Sequence, residues 1–238
     1  MKIIAIDSSG LVASVAVATE DRLIAEYTID FKKTHSQTLL PMLDEIARMI
    51  ELDMSTVDAV AVAAGPGSFT GLRIGSATAK GLGLALNIPI IAVPTVDALS
   101  MNAYGVSDVV CPIMDARRNQ VYTGYYEFDG KCEKPIVIKE QFAEDISVVC
   151  HELNSIGRSV LFLGDAVPVY EEEIKKELTV PYRFAPIHMA RQHAGALAML
   201  ALQYLSEGIT ETAAEHSPIY LRLSQAERER AEAESAGK

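Results

Sequence analysis

What this chain has little of bounds its function first. Lys and Arg number 21 against 32 Asp and Glu, a formal net charge of −11, and the adjacent basic pairs Lys32-Lys33, Arg117-Arg118 and Lys175-Lys176 form no stripe. A protein that grips nucleic acid by itself needs clustered cations to displace the counterions on phosphate, so a stand-alone nucleic-acid binder is excluded. Cysteine is scarce. Cys111, Cys132 and Cys150 are odd in number and contain no C-x-x-C, which fits a reducing cytoplasm better than a disulfide framework. No apolar run reaches membrane length; the longest starts at Ala194 and ends just beyond Leu202. Only Lys2 and a short apolar run precede Asp7, too little for a signal peptide. The expectation is a soluble cytoplasmic protein with no membrane partner.

The usual catalytic and metal patterns are missing as well. The histidines His35, His151, His188, His193 and His216 are never three or four apart, so no helix face offers an imidazole pair to one ion. Ser68 lies in Gly-x-Gly-Ser rather than in a G-x-S-x-G nucleophile elbow, and reads as a helix cap. No catalytic residue and no metal ligand is assigned.

What is present centres on Gly65-Pro66-Gly67-Ser68-Phe69-Thr70-Gly71-Leu72-Arg73-Ile74-Gly75. It follows a β-prone run and opens a long helical pattern. Its glycines permit close backbone approach, and the helix start offers free N–H groups that suit an anion. The spacing fits neither G-x-G-x-x-G nor G-x-x-x-x-G-K-[ST]. Two readings stay open: an anion site, or a glycine turn that packs a helix onto a strand.

At 238 residues and 49% hydrophobic the chain can fill a large core or two lobes. Residues 3–6, 12–18 and 23–29 read as an antiparallel meander, with turns at Ser8-Ser9-Gly10 and Glu20-Asp21. A helix over 36–52, a strand over 57–63, a helix over 70–86, a strand over 89–93 and a helix over 95–104 follow. The order βββαβαβα is that of a ribonuclease-H-like lobe, the half-unit of the actin-like fold. The pattern breaks near Gly105, dividing the chain into a first lobe, 1–104, and a second, 105–238, which looks abbreviated. In the second, strands are expected over 109–114, 121–128, 135–139 and 160–163, and helices over 142–153, 169–178 and 190–205. The charged tail from Ser224 to Lys238 reads as an exposed, fraying helix.

Ile3-Ile4-Ala5-Ile6-Asp7-Ser8-Ser9, His35-Ser36-Gln37-Thr38-Leu39-Leu40-Pro41, the segment 65–75 and Pro218-Ile219-Tyr220-Leu221-Arg222 together resemble the TsaB family, formerly called YeaZ. The resemblance runs from end to end. It implies a part in the bacterial machinery that makes threonylcarbamoyladenosine on tRNA, as a non-catalytic paralogue of the catalytic subunit TsaD. The implied fold is α/β, an actin-like (ASKHA) pair of ribonuclease-H-like lobes with a degenerate nucleotide cleft. Where TsaD carries two metal-holding histidines after the strand over 89–93, this chain has Thr95 and Leu99. The implied partners are TsaD and TsaE, a second copy of the chain when TsaD is absent, and tRNA only through the complex. The alternative is an independent actin-like ATPase or kinase, or a peptidase.

Two sets of site residues follow. Asp7 and Ser9, with Gly65 and Gly67, form a weak nucleotide-binding set, although Asp7-Ser8-Ser9-Gly10 reads equally as an Asx-turn. Met114-Asp115-Ala116-Arg117-Arg118-Asn119 lacks the glycine that close phosphate approach needs, and Leu163-Gly164-Asp165-Ala166 has one glycine where adenine would lie. No cofactor is required, and only weak ATP or ADP binding is compatible with these loops. The second set is a partner interface. The apolar arc of the helix over 36–52 (Leu39, Leu43, Ile46, Ile50) is wide. The helix over 70–86 is apolar nearly all round, with Leu72 and the small-residue ridge Gly71, Gly75, Ala79 and Gly83. The resemblance implies that these helices meet the partner, with Tyr220 and Arg222 as further contacts.

Overall fold

The computed structural model describes residues 1–31, 33–130 and 134–222; Lys32, Cys132 and the expected tail helix lie outside the described residues. The first half runs β1 (Lys2–Asp7), β2 (Ala13–Thr19), β3 (Leu23–Ile29), α1 (His35–Met49), β4 (Ala59–Gly65), α2 (Phe69–Leu86), β5 (Ile90–Pro94) and α3 (Thr95–Ser100). The second runs β6 (Val109–Asp115), β7 (Gln120–Glu127), β8 (Ile136–Asp145), α4 (Ile146–Ile156), β9 (Val160–Leu163), α5 (Val167–Glu177), β10 (Tyr182–Phe184) and α6 (Ala194–Ser206). The two sheets have the orders β3-β2-β1-β4-β5 and β8-β7-β6-β9-β10. In each, the first three strands are antiparallel and the last two join in parallel through helical crossovers. The second half is therefore not abbreviated. It repeats all eight elements of the first.

Period-two alternation sorts each buried strand between two cores. Ile3 and Ala5 on β1 enter a cluster shared by both sheets, α3 and α6. Ile4 and Ile6 face α1 and α2 instead. On β6, Val110 and Met114 join the shared cluster, while Val109, Cys111 and Ile113 pack under α4 and α5. The long apolar run of the sequence is α6, which packs on the first sheet and on α3 and leaves Met199 exposed. Leu197, Ala198, Leu200 and Ala201 are at most 1% exposed. No helix among the described residues is long and apolar enough to cross a membrane.

Three elements depart from the sequence pattern. β8 runs on to Asp145, through the start of the helix expected at Phe142, because Phe142 and Ala143 pair with Thr123 and Tyr122 of β7. The helix waits for Asp145, whose carboxylate accepts the Ser147 N–H at 2.9 Å as an N-cap. β10 is a three-residue strand parallel to β9, too short to show a period. α6 starts at Ala194 rather than at 190, held by the first sheet. The Ala194 N–H donates to Ser14 Oγ on β2 and the Gly195 N–H to Glu26 Oε1 on β3, each at 2.9 Å.

The same geometry corrects the expected interface. Leu39, Leu43 and Ile46 on α1 are 2%, 5% and 5% exposed within the chain itself, and Leu72 and Ala79 on α2 are 1% and 0%. They are the core under the first sheet and cannot be a contact face. Substituting Glu for Leu43 buries an uncompensated charge, so loss of the folded state is expected rather than a folded non-binder. Leu43→Ala should cost about 2–5 kcal/mol in urea unfolding.

His193, at the start of α6, lies 3.5 Å from Glu26. The Glu26 hydrogen bond raises the imidazole above its ordinary value of 6.5. Burial alone would raise Glu26, but the His193 and Gly195 hydrogen bonds hold it below the usual range. The His193 contribution is complete below its unfolded value and fades as pH rises through the folded one. The Glu26 contribution is lost as pH falls through its depressed value. The stability gap between wild type and His193→Gln should therefore be widest between about pH 5 and 6.5 and narrow toward about pH 8, read from urea midpoints.

Candidate functional site: the 7–10 turn, the 65–71 turn and the outer helix faces

β1 ends at Asp7, which is buried. One carboxylate oxygen accepts both the Ser9 N–H at 2.9 Å and the Ser9 hydroxyl at 2.6 Å. This is an Asx-turn. Burial pushes the Asp7 carboxyl above its ordinary value, against the pull of the Ser9 hydrogen bonds. The turn is pressed onto the start of α2. A Cβ at Gly67 would stand 2.3 Å from the Ser9 carbonyl oxygen, and one at Gly71 would stand 2.0 Å from that of Ser8. At Gly75 it would meet Ser8 Oγ at 2.4 Å. Gly71 and Gly75 of the ridge therefore contact the chain's own first turn, and Gly83 contacts Ile88 and Ile90.

Part of the donor set at the start of α2 is in use. The Ser68 N–H donates to the Ser9 carbonyl at 2.7 Å, and Ser68 Oγ accepts the Gly71 N–H at 3.3 Å. Ser68 is the expected cap. Of the two readings of the segment 65–75, close packing is the one this geometry favours. The nucleotide set is brought together around one turn, with Asp7, Ser9 and Gly65 buried and Gly67 half-buried. Asp7 and Ser9 bond each other, whereas the Gly65 N–H donates to Thr95 Oγ1 and the Gly65 carbonyl accepts from Gln141.

The second hairpin differs. Arg117, Arg118 and Asn119 take φ values of 66°, 58° and 59°, three successive left-handed residues without a glycine. Asp115 accepts the Arg117 N–H at 2.7 Å, and its own N–H donates to Asp165 at 3.2 Å. Burial raises the Asp165 carboxyl above its ordinary value. Beside Gly164 a cavity of about 330 Å³ is lined by Leu163, Val167, Pro168, Ile187 and Arg191. This is the place the sequence pattern assigned to adenine.

Thr95 and Leu99 have structural partners. Thr95 Oγ1 accepts the Gly65 N–H at 3.1 Å, and Leu99, 1% exposed, belongs to the core shared by the lobes. Among the described residues no three His, Cys, Asp or Glu side chains are grouped to hold a metal ion. Cys111 and Cys150 are free and buried, and burial pushes each thiol up to about 12.

α1 and α2 lie side by side on one face of the first sheet, and their outward sides face solvent. α1 exposes Leu40 at 56% and Met49 at 78%; α2 exposes Leu84 at 72%, along with Arg73, Ala77 and Gly81. A Cβ at Gly81 would meet nothing within 4 Å. Of the interface residues expected from sequence, Gly75 and Gly83 are buried, Ile50 and Arg222 are half-buried, and Tyr220 is 38% exposed. Helical spacing did carry a signal for the exposed positions. Leu40 and Leu84 widen the apolar arcs beyond what a single buried stripe needs. Sequence reasoning also missed His35, whose Nε2 donates to the Gly10 carbonyl at 2.9 Å and ties α1 to the first turn.

Comparison with known proteins places this geometry. Residues 23–230 match the family model described as TsaD, tRNA N6-adenosine threonylcarbamoyltransferase. The chain is 34% identical over 233 residues to the tRNA threonylcarbamoyladenosine biosynthesis protein TsaB of Bacillus subtilis, covering 95% of this chain and 96% of that one. It superposes on YeaZ from Pseudomonas aeruginosa with a TM-score of 0.76 at 27% identity, covering 92% of this chain and 99% of that one. A component of the Acidaminococcus fermentans (R)-2-hydroxyglutaryl-CoA dehydratase shares the fold alone, with a TM-score of 0.50 at 11% identity, over 87% of this chain and 99% of that one.

The packed turn makes a quantitative contrast between two glycines of one helix. Gly71→Ala forces a Cβ into a backbone carbonyl and should cost about 1–3 kcal/mol or more. Gly81→Ala points into open space and should stabilise α2 by about 1 kcal/mol. Guanidinium unfolding midpoints of the two variants should fall on opposite sides of wild type; coincident midpoints would remove the contact from the account.

Proposed function

This chain belongs to the TsaB family, and from that premise we propose that it is the non-catalytic subunit in the synthesis of threonylcarbamoyladenosine on tRNA. It pairs with TsaD through the outward sides of α1 and α2 and works in a complex with TsaE; without TsaD it pairs with a second copy of itself. The observation that carries the reading is the exposure of large apolar side chains on both helices, Leu40 and Met49 on α1 and Leu84 on α2, the last near the open Gly81. Apolar side chains so exposed on adjacent helices fit an area that a partner keeps dry. Chemistry is assigned to the partner for a separate reason. The positions that correspond to TsaD's metal-holding histidines are spent on holding Gly65 and filling the interlobe core. Recognition of tRNA goes through the complex, in keeping with a net charge of −11.

The corrected interface gives a test that separates partner contact from core. Leu84→Glu and Leu40→Glu are expected to keep the wild-type circular dichroism and melting temperature, yet to lose co-purification with TsaD by at least about a hundredfold in affinity. In a reconstituted assay with TsaD and TsaE they should abolish threonylcarbamoyladenosine formation, while the isolated wild-type chain turns over neither ATP nor peptide. Folded variants that still bind TsaD would put the interface elsewhere. Turnover by the chain alone would favour the independent enzyme.

A further inference from the structure

After α6 the chain returns along the first sheet through a turn at 213–215. Ile90 and Glu211 exchange both backbone hydrogen bonds, at 2.8 and 2.9 Å. The Ile219 N–H donates to the Ala64 carbonyl at 2.7 Å. The Ile219 carbonyl then lies where a Cβ at Gly65 would stand only 2.1 Å away. The ring of Tyr220 stacks on Phe69 with centroids 4.5 Å apart and planes within 5°. The Arg73 guanidinium lies at the side of the stack, 6.0 and 5.9 Å from the two centroids, and its Nε donates to the Tyr220 hydroxyl at 3.2 Å. Leu221 packs on the core shared by the lobes. Arg222 reaches the other lobe, where its Nη1 donates to the carbonyls of Ala116 and Arg117.

The far end of this path is the hairpin with three successive left-handed residues, Arg117 to Asn119. Such a backbone persists only where its surroundings hold it. Besides the hairpin's own bonds, it is held by the Asn119 carbonyl accepting the Ile146 N–H and by Arg222. The near end is Arg73, which is exposed on α2 one turn before Ala77 and in line with Gly81 and Leu84. One short segment thus joins the outward side of a first-lobe helix to the strained turn of the second lobe.

We propose that residues 219–222 form a latch that couples the exposed side of α2 to the β6–β7 hairpin. A body that docks on α2 engages Arg73, and Arg73 sets the placement of Tyr220. Through Ile219 and Arg222 the same change reaches the 64–65 turn and the 116–119 hairpin. The latch belongs to the isolated chain and does not depend on which protein docks.

Hydrogen–deuterium exchange on the purified full chain tests it. Arg222→Ala removes charge-assisted bonds from the hairpin carbonyls, so amide exchange should rise by about tenfold or more over 116–120 and at Ile219. Arg73→Ala touches neither lobe junction nor hairpin, yet it should raise exchange at Ile219 and over 116–120 as well. Phe69→Leu, which removes the stack and spares both arginines, should repeat that pattern. Arg222→Lys, with one cationic head retained, should recover part of the protection. If Arg73→Ala and Phe69→Leu raise exchange only within 64–73 and leave the hairpin as in wild type, the coupling is refuted. The same holds if Arg222→Ala leaves Ile219 protected. Because no partner is present, either result leaves the proposed pairing with TsaD untouched.

Discussion

The contact on which most of this structure depends is the seating of the 7–10 turn on the first turns of α2. Ser8 and Ser9 present carbonyl oxygens at 2.0 and 2.3 Å from where Cβ atoms would be at Gly71 and Gly67. No other residue type fits that approach. The seating aligns β1 with β4, sets α2 over the sheet, and supplies the Ser68 N–H with an internal acceptor. A helix start that could have faced a phosphate is thereby turned into a joint. Asp7, which closes the turn through Ser9, belongs to the same joint.

A second constraint comes from the repeated topology. Each half makes a sheet with helices on its outer face, and the halves share the core that α3 and α6 fill between them. α6 is tied to the first sheet at its N-terminus through Ser14 and Glu26, although it is the last helix of the second half. Thr95 and Leu99 on α3 are therefore enclosed by the lobe junction, the first accepting the Gly65 N–H and the second filling the shared core.

The outward sides of α1 and α2 show why amphipathic pattern alone did not separate core from surface. Both helices are apolar around more than half their circumference. The sheet takes Leu39, Leu43, Ile46, Leu72 and Ala79, leaving Leu40, Met49 and Leu84 in solvent. Periodicity identifies an apolar arc but does not say which part of a wide arc the sheet covers. That is settled by the rotation of each helix on the sheet, which depends on contacts remote in sequence, such as His35 on Gly10 and Ser8 on Gly71.

By itself the sequence determined the first half's element order, the strands over 109–114 and 160–163, the Ser68 cap and the family. Each of these rests on local pattern: period-two runs, helical spacing, glycine and serine at a turn. It missed that the second half is complete, because β10 has three residues and β8 carries a helical spacing that only its pairing with β7 overrides. Which face of α1 and α2 is buried, and how Tyr220 and Arg222 bind within the chain, were decided by the tertiary structure alone. Those contacts join residues up to 147 apart in sequence, and no local rule encodes them.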